Sequence, residues 1–158
     1  MLNIDMLSSM TEKLPPTNRS LPIALIRARE GVMPPIRSML TGTGITEQQW
    51  RVLRVLVEYG PQNASTLARR SCLLFPSLTR IVQAMSKKGL VTLSRDDTDR
   101  RRQTITIAKA GQKIIDEKSD QGAKIVVDLK AKLGEANYEQ LLDLLAMLDP
   151  QHTENTRK

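Results

Sequence analysis

The chain has 158 residues, 40% of them hydrophobic and 3% aromatic, which is enough for one domain with appended helices. Its net charge of +7 is concentrated between Ser65 and Lys109, where ten basic residues stand against three acidic ones. Basic charge gathered in one module is typical of a nucleic-acid binder. The single cysteine excludes an intramolecular disulfide framework, and no apolar run is long enough to span a membrane. The expected location is the cytoplasm.

The N-terminal part is predicted to contain an arm and one helix. Residues 1–19 are rich in proline and poorly periodic, which indicates an arm. In residues 20–45, Ser20 is a good N-cap and apolar residues follow at helical spacing. Pro34 and Pro35 are expected to interrupt this helix with a kink. We interpret it as a dimerisation helix, because such a helix near a chain terminus often wraps a partner.

Residues 46–111 have the pattern of a winged helix-turn-helix. Thr46 and Gln49 form a capping box that opens a helix. Two short helices follow, near 64–71 and 75–88, and Gly89 ends the second at a position that usually requires a positive φ. Two short helices with a tight connection are typical of a helix-turn-helix. The second is predicted to expose side chains that can bind base edges or phosphates, although ordinary solvation is the alternative: Ser77, Thr79, Arg80 and Gln83.

A β-hairpin is predicted over residues 90–108. Runs of β-branched residues flank Asp96–Asp99, whose short polar side chains favour a turn. The tip carries three consecutive arginines, Arg100, Arg101 and Arg102. These arginines are either an ordinary solvated face or part of a DNA-binding wing. Their position directly after the helix-turn-helix favours the wing.

The C-terminal part, residues 112–149, is predicted to form two helices that are separated at Gly134. The last helix, near 138–148, is rich in leucine, and its apolar surface extends too far round for an isolated surface helix. A second copy of the chain is therefore expected to cover it, and residues 150–158 are expected to be a flexible tail. The predicted fold class is mainly α with a small β-wing, in which the N- and C-terminal helices form a homodimerisation bundle.

These parts resemble the MarR family of bacterial repressors, which are winged-helix homodimers. The family's wing motif is Asp-x-Arg, then a hydrophobic strand and Leu-Thr-x-x-Gly. Asp99–Arg101 and Ile107–Gly111 occupy those positions here, with Ile-Ala in place of Leu-Thr, which removes an N-cap hydroxyl. The chain is also similar to the homoprotocatechuate and hydroxycinnamate repressor subgroup, which regulates aromatic-acid breakdown, over three segments: LPIALIRARE at 21–30, ITEQQWRVL at 45–53 and PSLT at 76–79.

The resemblance implies how the chain would bind a double-stranded DNA operator. Asp99 would brace Arg101, and Arg101 would enter the minor groove, where narrow A·T tracts concentrate negative potential. Ser77, Thr79 and Arg80 would face the major groove from the recognition helix. A homodimer would place two such helices about 10 base pairs apart on a palindromic site.

The resemblance also implies a site for a small aromatic carboxylate effector, such as a hydroxycinnamate or protocatechuate, between the dimerisation helices and the winged domain. Alignment on Gln49-Trp50 puts Arg27 where a related repressor holds the ligand carboxylate, with Arg29 as the fallback. A guanidinium matches a carboxylate with two hydrogen bonds. Three residues would supply an apolar wall for the aromatic ring or, alternatively, belong to the core: Met33, Ile36 and Trp50.

Several alternatives stay open. For Arg27 or Arg29, the alternative role is an interchain salt bridge, for instance with Glu30 or Asp128. A redox-sensing repressor acting through Cys72 is a second candidate function, although a lone cysteine in apolar company is usually inert core. A third is a sequence-indifferent architectural DNA-binding protein. An enzyme, a metal and a cofactor are not expected, because the sequence has no glycine-rich phosphate loop and no His/Cys cluster with metal spacing, and its only histidine is His152.

Overall fold

The computed structural model describes residues 14–99 and 102–151, in two compact units that divide between Ser38 and Met39. After a 3-10 turn at Thr17–Arg19, the described elements are six helices and three strands. They are α1 (Leu21–Leu40), α2 (Glu47–Tyr59), β1 (Gln62–Asn63), α3 (Ala64–Arg70), α4 (Phe75–Lys87), β2 (Val91–Arg95), β3 (Gln103–Ile107), α5 (Lys109–Leu133) and α6 (Glu135–Ala146). This confirms the predicted winged helix fold, which is mainly α with a small β-wing.

Helix α1 runs through Pro34 and Pro35 without a break, so the two prolines do not end the helix, and the expected kink stays a prediction. Proline's fixed φ is close to the helical value, and its cost is confined to a missing N–H and crowding against the preceding turn. Gly31, the residue four before Pro35, has no side chain to add to that crowding. Met39 and Leu40 in the last turn are buried, and this packing holds the helix beyond the prolines.

Helix α2 is the centre of the second unit. The predicted capping box is confirmed: Gln49 N donates to Thr46 Oγ1 at 3.2 Å, and Thr46 N donates to Gln49 Oε1 at 3.1 Å. Val52, Leu53 and Leu56 are almost fully buried on its inner side. Helices α3, α4 and α5 and strand β3 all contact α2, so the winged module folds around one helix.

The wing is part of a three-stranded antiparallel sheet in the order β1-β3-β2. Its two long strands pair from Val91↔Ile107 to Arg95↔Gln103, as the hairpin pattern predicts. Strand β1 was missed, because two residues give no alternating pattern to recognise. It pairs Gln62 with Ile105 and leads directly into α3, where Thr66 N donates to the Asn63 N-cap at 2.9 Å. The wing is thereby tied to the first helix of the helix-turn-helix.

The start of α5 is packed tightly against the rest of the winged module. Its N-cap, Ala108, makes no side-chain capping bond, as expected for alanine in place of threonine. A Cβ on Gly111 would overlap the carbonyl oxygen of Leu90 and lie 2.9 Å from Leu53 Cδ2. The close approach of α5 to α2 and to Leu90 therefore requires glycine at this position.

Helix α6 starts three residues before its predicted beginning and has no buried residue. It is joined to α5 by Lys130, whose Nζ lies 3.1 Å from Glu139 Oε1 and 3.3 Å from Glu135 Oε1. These two hydrogen bonds, that to Glu139 being the stronger influence, raise the pKa of Lys130. The predicted broad apolar surface is present as exposed leucines at 141, 142, 144 and 145. No helix in the described ranges is long and apolar enough to cross a membrane.

Candidate nucleic-acid interface

Helix α4 presents the side chains that are predicted to contact DNA. Leu78, Val82 and Met85, spaced by four and three residues, are buried and fix which side of the helix faces the core. Of the four predicted contact residues, Arg80 and Gln83 are exposed, whereas Ser77 and Thr79 are half-buried. Gly89 follows the helix with φ +72°, as its predicted position at the helix end requires.

The hydroxyl of Thr79 already has a hydrogen-bond partner within the helix. Its Oγ1 donates to the carbonyl oxygen of Phe75, one turn earlier, at 3.1 Å. Threonine often forms this bond inside helices, because its hydroxyl reaches the preceding turn. Thr79 therefore offers a ligand its methyl group and the acceptor lone pairs of the oxygen, rather than a free donor.

The wing turn is held by its own acidic residues. Asp96 N donates to Arg102 O at 3.0 Å, and Arg102 N donates to Asp99 O at 2.9 Å. Thr98 donates to Asp96 Oδ1 from its backbone N–H and from its hydroxyl, and these bonds, the backbone one first, lower the pKa of Asp96. The turn therefore stabilises the ionised form of the Asp96 carboxyl.

At the tip, the structure describes one of the three arginines. Arg102 is exposed, with its Nε 3.9 Å from Asp99 Oδ2. Arg100 and Arg101 lie outside the described residues, so the expected contact between Asp99 and Arg101 stays a prediction.

A cleft of about 600 Å³ brings the helix-turn-helix and the wing together. Its walls are the start of α3, the first turns of α4 and the beginning of β3. The lining residues are Asn63, Ala64, Ser65, Thr66, Phe75, Thr79, Arg102 and Gln103. One predicted contact residue of the recognition helix and one of the wing thus face the same space.

Two residues of the basic segment have structural roles that the sequence pattern did not reveal. Arg70 Nη1 donates to Gln62 Oε1 at 2.5 Å, and its guanidinium lies over the Tyr59 ring, 3.9 Å from the centroid. Lys88 Nζ donates to the carbonyl oxygen of Gly44 at 2.8 Å, which ties the end of α4 to the loop before α2. Among the described residues of the basic segment, the exposed basic side chains that remain for a ligand are Arg69, Arg80, Lys87, Arg95, Arg102 and Lys109.

Cys72 is exposed, so the interpretation of this residue as inert core is wrong. It occupies the turn between α3 and α4 with φ +54°, a left-handed conformation that directs the chain into the next helix. Its neighbour Ser71 takes the buried position instead, with its hydroxyl bonded to Leu67 O. Within the described ranges, no cluster of three or more His, Cys, Asp and Glu side chains could hold a metal ion.

The arginines considered for an effector differ in their partners. Arg29 Nη1 lies 3.6 Å from Glu30 Oε1, whereas Arg27 is exposed and has no hydrogen-bond or ion-pair partner among the described residues. The two acids named as possible partners of such an arginine are already engaged within the chain. Glu30 contacts Arg29, and Asp128 contacts Lys124 at 2.8 Å.

The arginines also differ in the helix face that they share with the apolar candidates. Met33 and Ile36 are half-buried and follow Arg29 by four and seven residues, which places all three on one face of α1. Arg27 precedes Ile36 by about two and a half turns and lies on the other side of the helix. Trp50 belongs to the second unit, where it is buried in α2.

Comparison with known proteins identifies a family and similar transcriptional regulators. A model of the MarR family matches residues 45–102. The chain is 36% identical over 129 residues to the HTH-type transcriptional regulator FarR of Neisseria gonorrhoeae, covering 82% of this chain and 88% of FarR. It is also 36% identical over 126 residues to the homoprotocatechuate degradative operon repressor of Escherichia coli, covering 80% of this chain and 85% of that repressor.

Two similar solved structures contain ligands. NadR in complex with 4-hydroxyphenylacetate is 34% identical, with a TM-score of 0.74, and the match covers 87% of this chain and 97% of NadR. The repressor CouR bound to a 23-mer DNA duplex is 25% identical, with a TM-score of 0.74, and the match covers 83% of this chain and 93% of CouR.

Proposed function

The chain belongs to the MarR family of transcriptional regulators. From this premise we propose that it is a homodimeric repressor that binds a palindromic operator. An aromatic carboxylic acid releases the repressor from that operator. Its relatives include repressors, and the family consists of transcriptional regulators rather than enzymes. The observation that supports the proposal most is the cleft of about 600 Å³ between recognition helix and wing, in the segment that carries the whole net charge.

The proposed DNA contacts come from exposed side chains of α4 and of the wing tip. Arg80 and Gln83 on α4 would contact the bases or phosphates of a major groove, since both side chains are exposed on the outer side of the helix. Arg102 and its neighbours at the wing tip would contact the flanking backbone and minor groove. The relative CouR binds a DNA duplex, which supports the same use of the fold here.

The homodimer is supported by the apolar surface of α6. Four leucines of this helix are 36–53% exposed, and none of its residues is buried. Apolar area of this extent is costly to leave in water, at about 25 cal/mol per Å², and favours a covering partner. A second copy of the chain would cover it and would present two recognition helices to successive major grooves, about 10 base pairs apart.

The effector is proposed to be a phenolic carboxylic acid. NadR is solved with 4-hydroxyphenylacetate, and a second relative represses a homoprotocatechuate operon, so hydroxyphenylacetates join hydroxycinnamates and protocatechuate as candidates. We assign the carboxylate to Arg29 rather than Arg27, because Met33 and Ile36 lie on the same helix face as Arg29. One molecule can therefore place its ring on Met33 and Ile36 and its carboxylate on Arg29 by displacing Glu30.

Thermal unfolding with 4-hydroxyphenylacetate tests this assignment. A ligand at 100 times its Kd stabilises the folded protein by about 2.7 kcal/mol, which raises the Tm of a chain of this size by about 5–10 °C. In Arg29→Ala, a 100-fold weaker Kd would leave a rise of about 1 °C. The matched control Arg27→Ala should keep the wild-type rise, and 4-methylphenol, which has no carboxylate, should give none.

The outcomes separate the two arginines. A full rise in Arg29→Ala would contradict the assignment, and a loss confined to Arg27→Ala would transfer the carboxylate to Arg27. If no phenolic acid shifted the Tm of the wild type, the effector class itself would be wrong.

A further inference from the structure

Phe75, the chain's single phenylalanine, is unusually exposed for its size. It is the first residue of α4, and 52% of its surface is exposed to solvent. It lies in the segment that carries the net positive charge of the chain. A large apolar ring that stays exposed to water does not contribute the favourable free energy that its burial would give. It lies in the wall of the cleft between α4 and the wing, so it is directed towards the surface on which DNA is proposed to bind.

The surroundings of Phe75 form a small apolar strip within a polar cleft. Thr79, one turn later, has its hydroxyl bonded to the carbonyl oxygen of Phe75, which leaves its methyl group for contact. Ala64 at the start of α3 lines the same space. The polar groups of the cleft come from both walls, with Arg102 and Gln103 on the wing side and Asn63, Ser65 and Thr66 beside Ala64.

The chemistry of this strip fits one feature of a DNA duplex. In the major groove, thymine alone presents an apolar group, its C5-methyl, and phenylalanine, threonine methyl and alanine are the side chains suited to contact it. The first residues of a recognition helix are those that reach the base edges in helix-turn-helix complexes. Basic side chains around the strip supply the attraction to phosphates that brings a base edge into reach.

We propose that Phe75 is a specificity-determining residue that reads a thymine of the operator by packing its ring on the C5-methyl group. The inference rests on the proposed function, since it requires that α4 enters the major groove. The inference goes beyond the proposed function because it names thymine as the base that the start of α4 prefers. Because Thr79 has no free hydroxyl donor, the methyl contact also replaces the hydrogen bond to a base edge expected of that residue.

A deoxyuridine scan tests the proposal, because uracil lacks only the methyl group of thymine. The probe is the duplex that the full-length protein selects from a randomised pool. Each thymine of one half-site is replaced in turn, and Kd is measured by fluorescence anisotropy. Loss of one buried methyl is expected to weaken wild-type binding about three- to fivefold at one position. The Phe75→Ala variant should bind the thymine and uracil duplexes equally at that position.

The matched control is Leu74→Ala. Leu74 is adjacent and 78% exposed but does not line the cleft, so this variant should keep the wild-type preference for thymine. Phe75→Leu, which keeps an apolar side chain, should keep part of it. Because both side chains are largely exposed, melting temperatures near that of the wild type verify that the variants fold.

The failures of this inference and of the proposed function are distinguishable. A pool that yields no preferred sequence would contradict sequence-specific binding, and the inference with it. The role of Phe75 would be overturned if the wild type bound the selected site equally well with uracil at every thymine position. It would also be overturned if Phe75→Ala retained the preference for thymine. In either case the proposed repressor function would still stand. The apolar strip would then contact something other than a thymine methyl.

Discussion

The double variant Arg80→Ala/Arg102→Ala is expected to bind operator DNA about 60-fold more weakly than the wild type near 0.1 M salt. Both side chains are exposed, one on α4 and one on the wing, and each is proposed to neutralise one phosphate. One phosphate contact contributes a slope of about −0.9 to a plot of log K against log salt, or about eightfold in affinity at 0.1 M. The variant's slope should therefore be smaller in magnitude by about 2.

Fluorescence anisotropy between 50 and 200 mM NaCl measures both the affinity for operator DNA and the slope of log K against log salt. The control is Lys124→Ala, which removes one positive charge from α5, where Lys124 pairs with Asp128 on an exposed surface. It should change neither the affinity nor the slope beyond experimental error. A wild-type affinity that does not depend on salt, or an unchanged slope in the double variant, would contradict the proposed electrostatic contact.

Gly111→Ala is expected to destabilise the winged module by about 1–3 kcal/mol, although alanine is intrinsically the better helix former. The added Cβ would overlap Leu90 O and press on Leu53 Cδ2, neither of which can move without disturbing α2 or the start of β2. For a chain of this size, that loss lowers the Tm by about 2–12 °C. Differential scanning calorimetry measures it directly.

Gly122→Ala in the same helix is the matched control. The nearest atom to its added Cβ would be Met39 Sδ at 3.9 Å, which is ordinary contact, so only the helix propensity changes. A stabilisation of about 0.5–1 kcal/mol is expected. If both glycine variants were equally stable, the close approach of α5 at Leu90 would not limit stability.

Much of the winged module could be predicted from its sequence, because its signals are local. The capping box of Thr46 and Gln49, the end of α4 at Gly89 and the strands around the acidic turn each depend on residues within a few positions of one another. Local hydrogen bonds and backbone preferences decide such features, and they leave a readable pattern.

The features that sequence reasoning missed depend on residues far apart in the chain. Strand β1 forms because Gln62 pairs with Ile105, and the Lys88 side chain is engaged within the chain because its Nζ donates to the carbonyl oxygen of Gly44. Pro34 and Pro35 do not end α1, since buried residues further along α1 hold the helix. Tertiary packing decided each of these outcomes, and no local pattern reports it.

The proposed effector-binding face of α1 is an intermediate case. Helical spacing alone puts Arg29 on the same face as Met33 and Ile36, because residues four and seven positions apart lie above one another on a helix. The resemblance to related repressors pointed instead to Arg27. The structure adds the partners: Arg29 contacts Glu30, while Arg27 has none among the residues described.

The most direct test of the account is the affinity of the wild-type protein for its selected duplex, measured by anisotropy with and without saturating 4-hydroxyphenylacetate, protocatechuate or a hydroxycinnamate. A ligand that prefers the conformation with misplaced recognition helices must weaken DNA binding by its difference in affinity for the two states. A coupling of about 1–3 kcal/mol predicts a 5–150-fold rise in Kd with at least one of these acids, and none with 4-methylphenol. An operator Kd that stays the same with every phenolic acid would contradict the account.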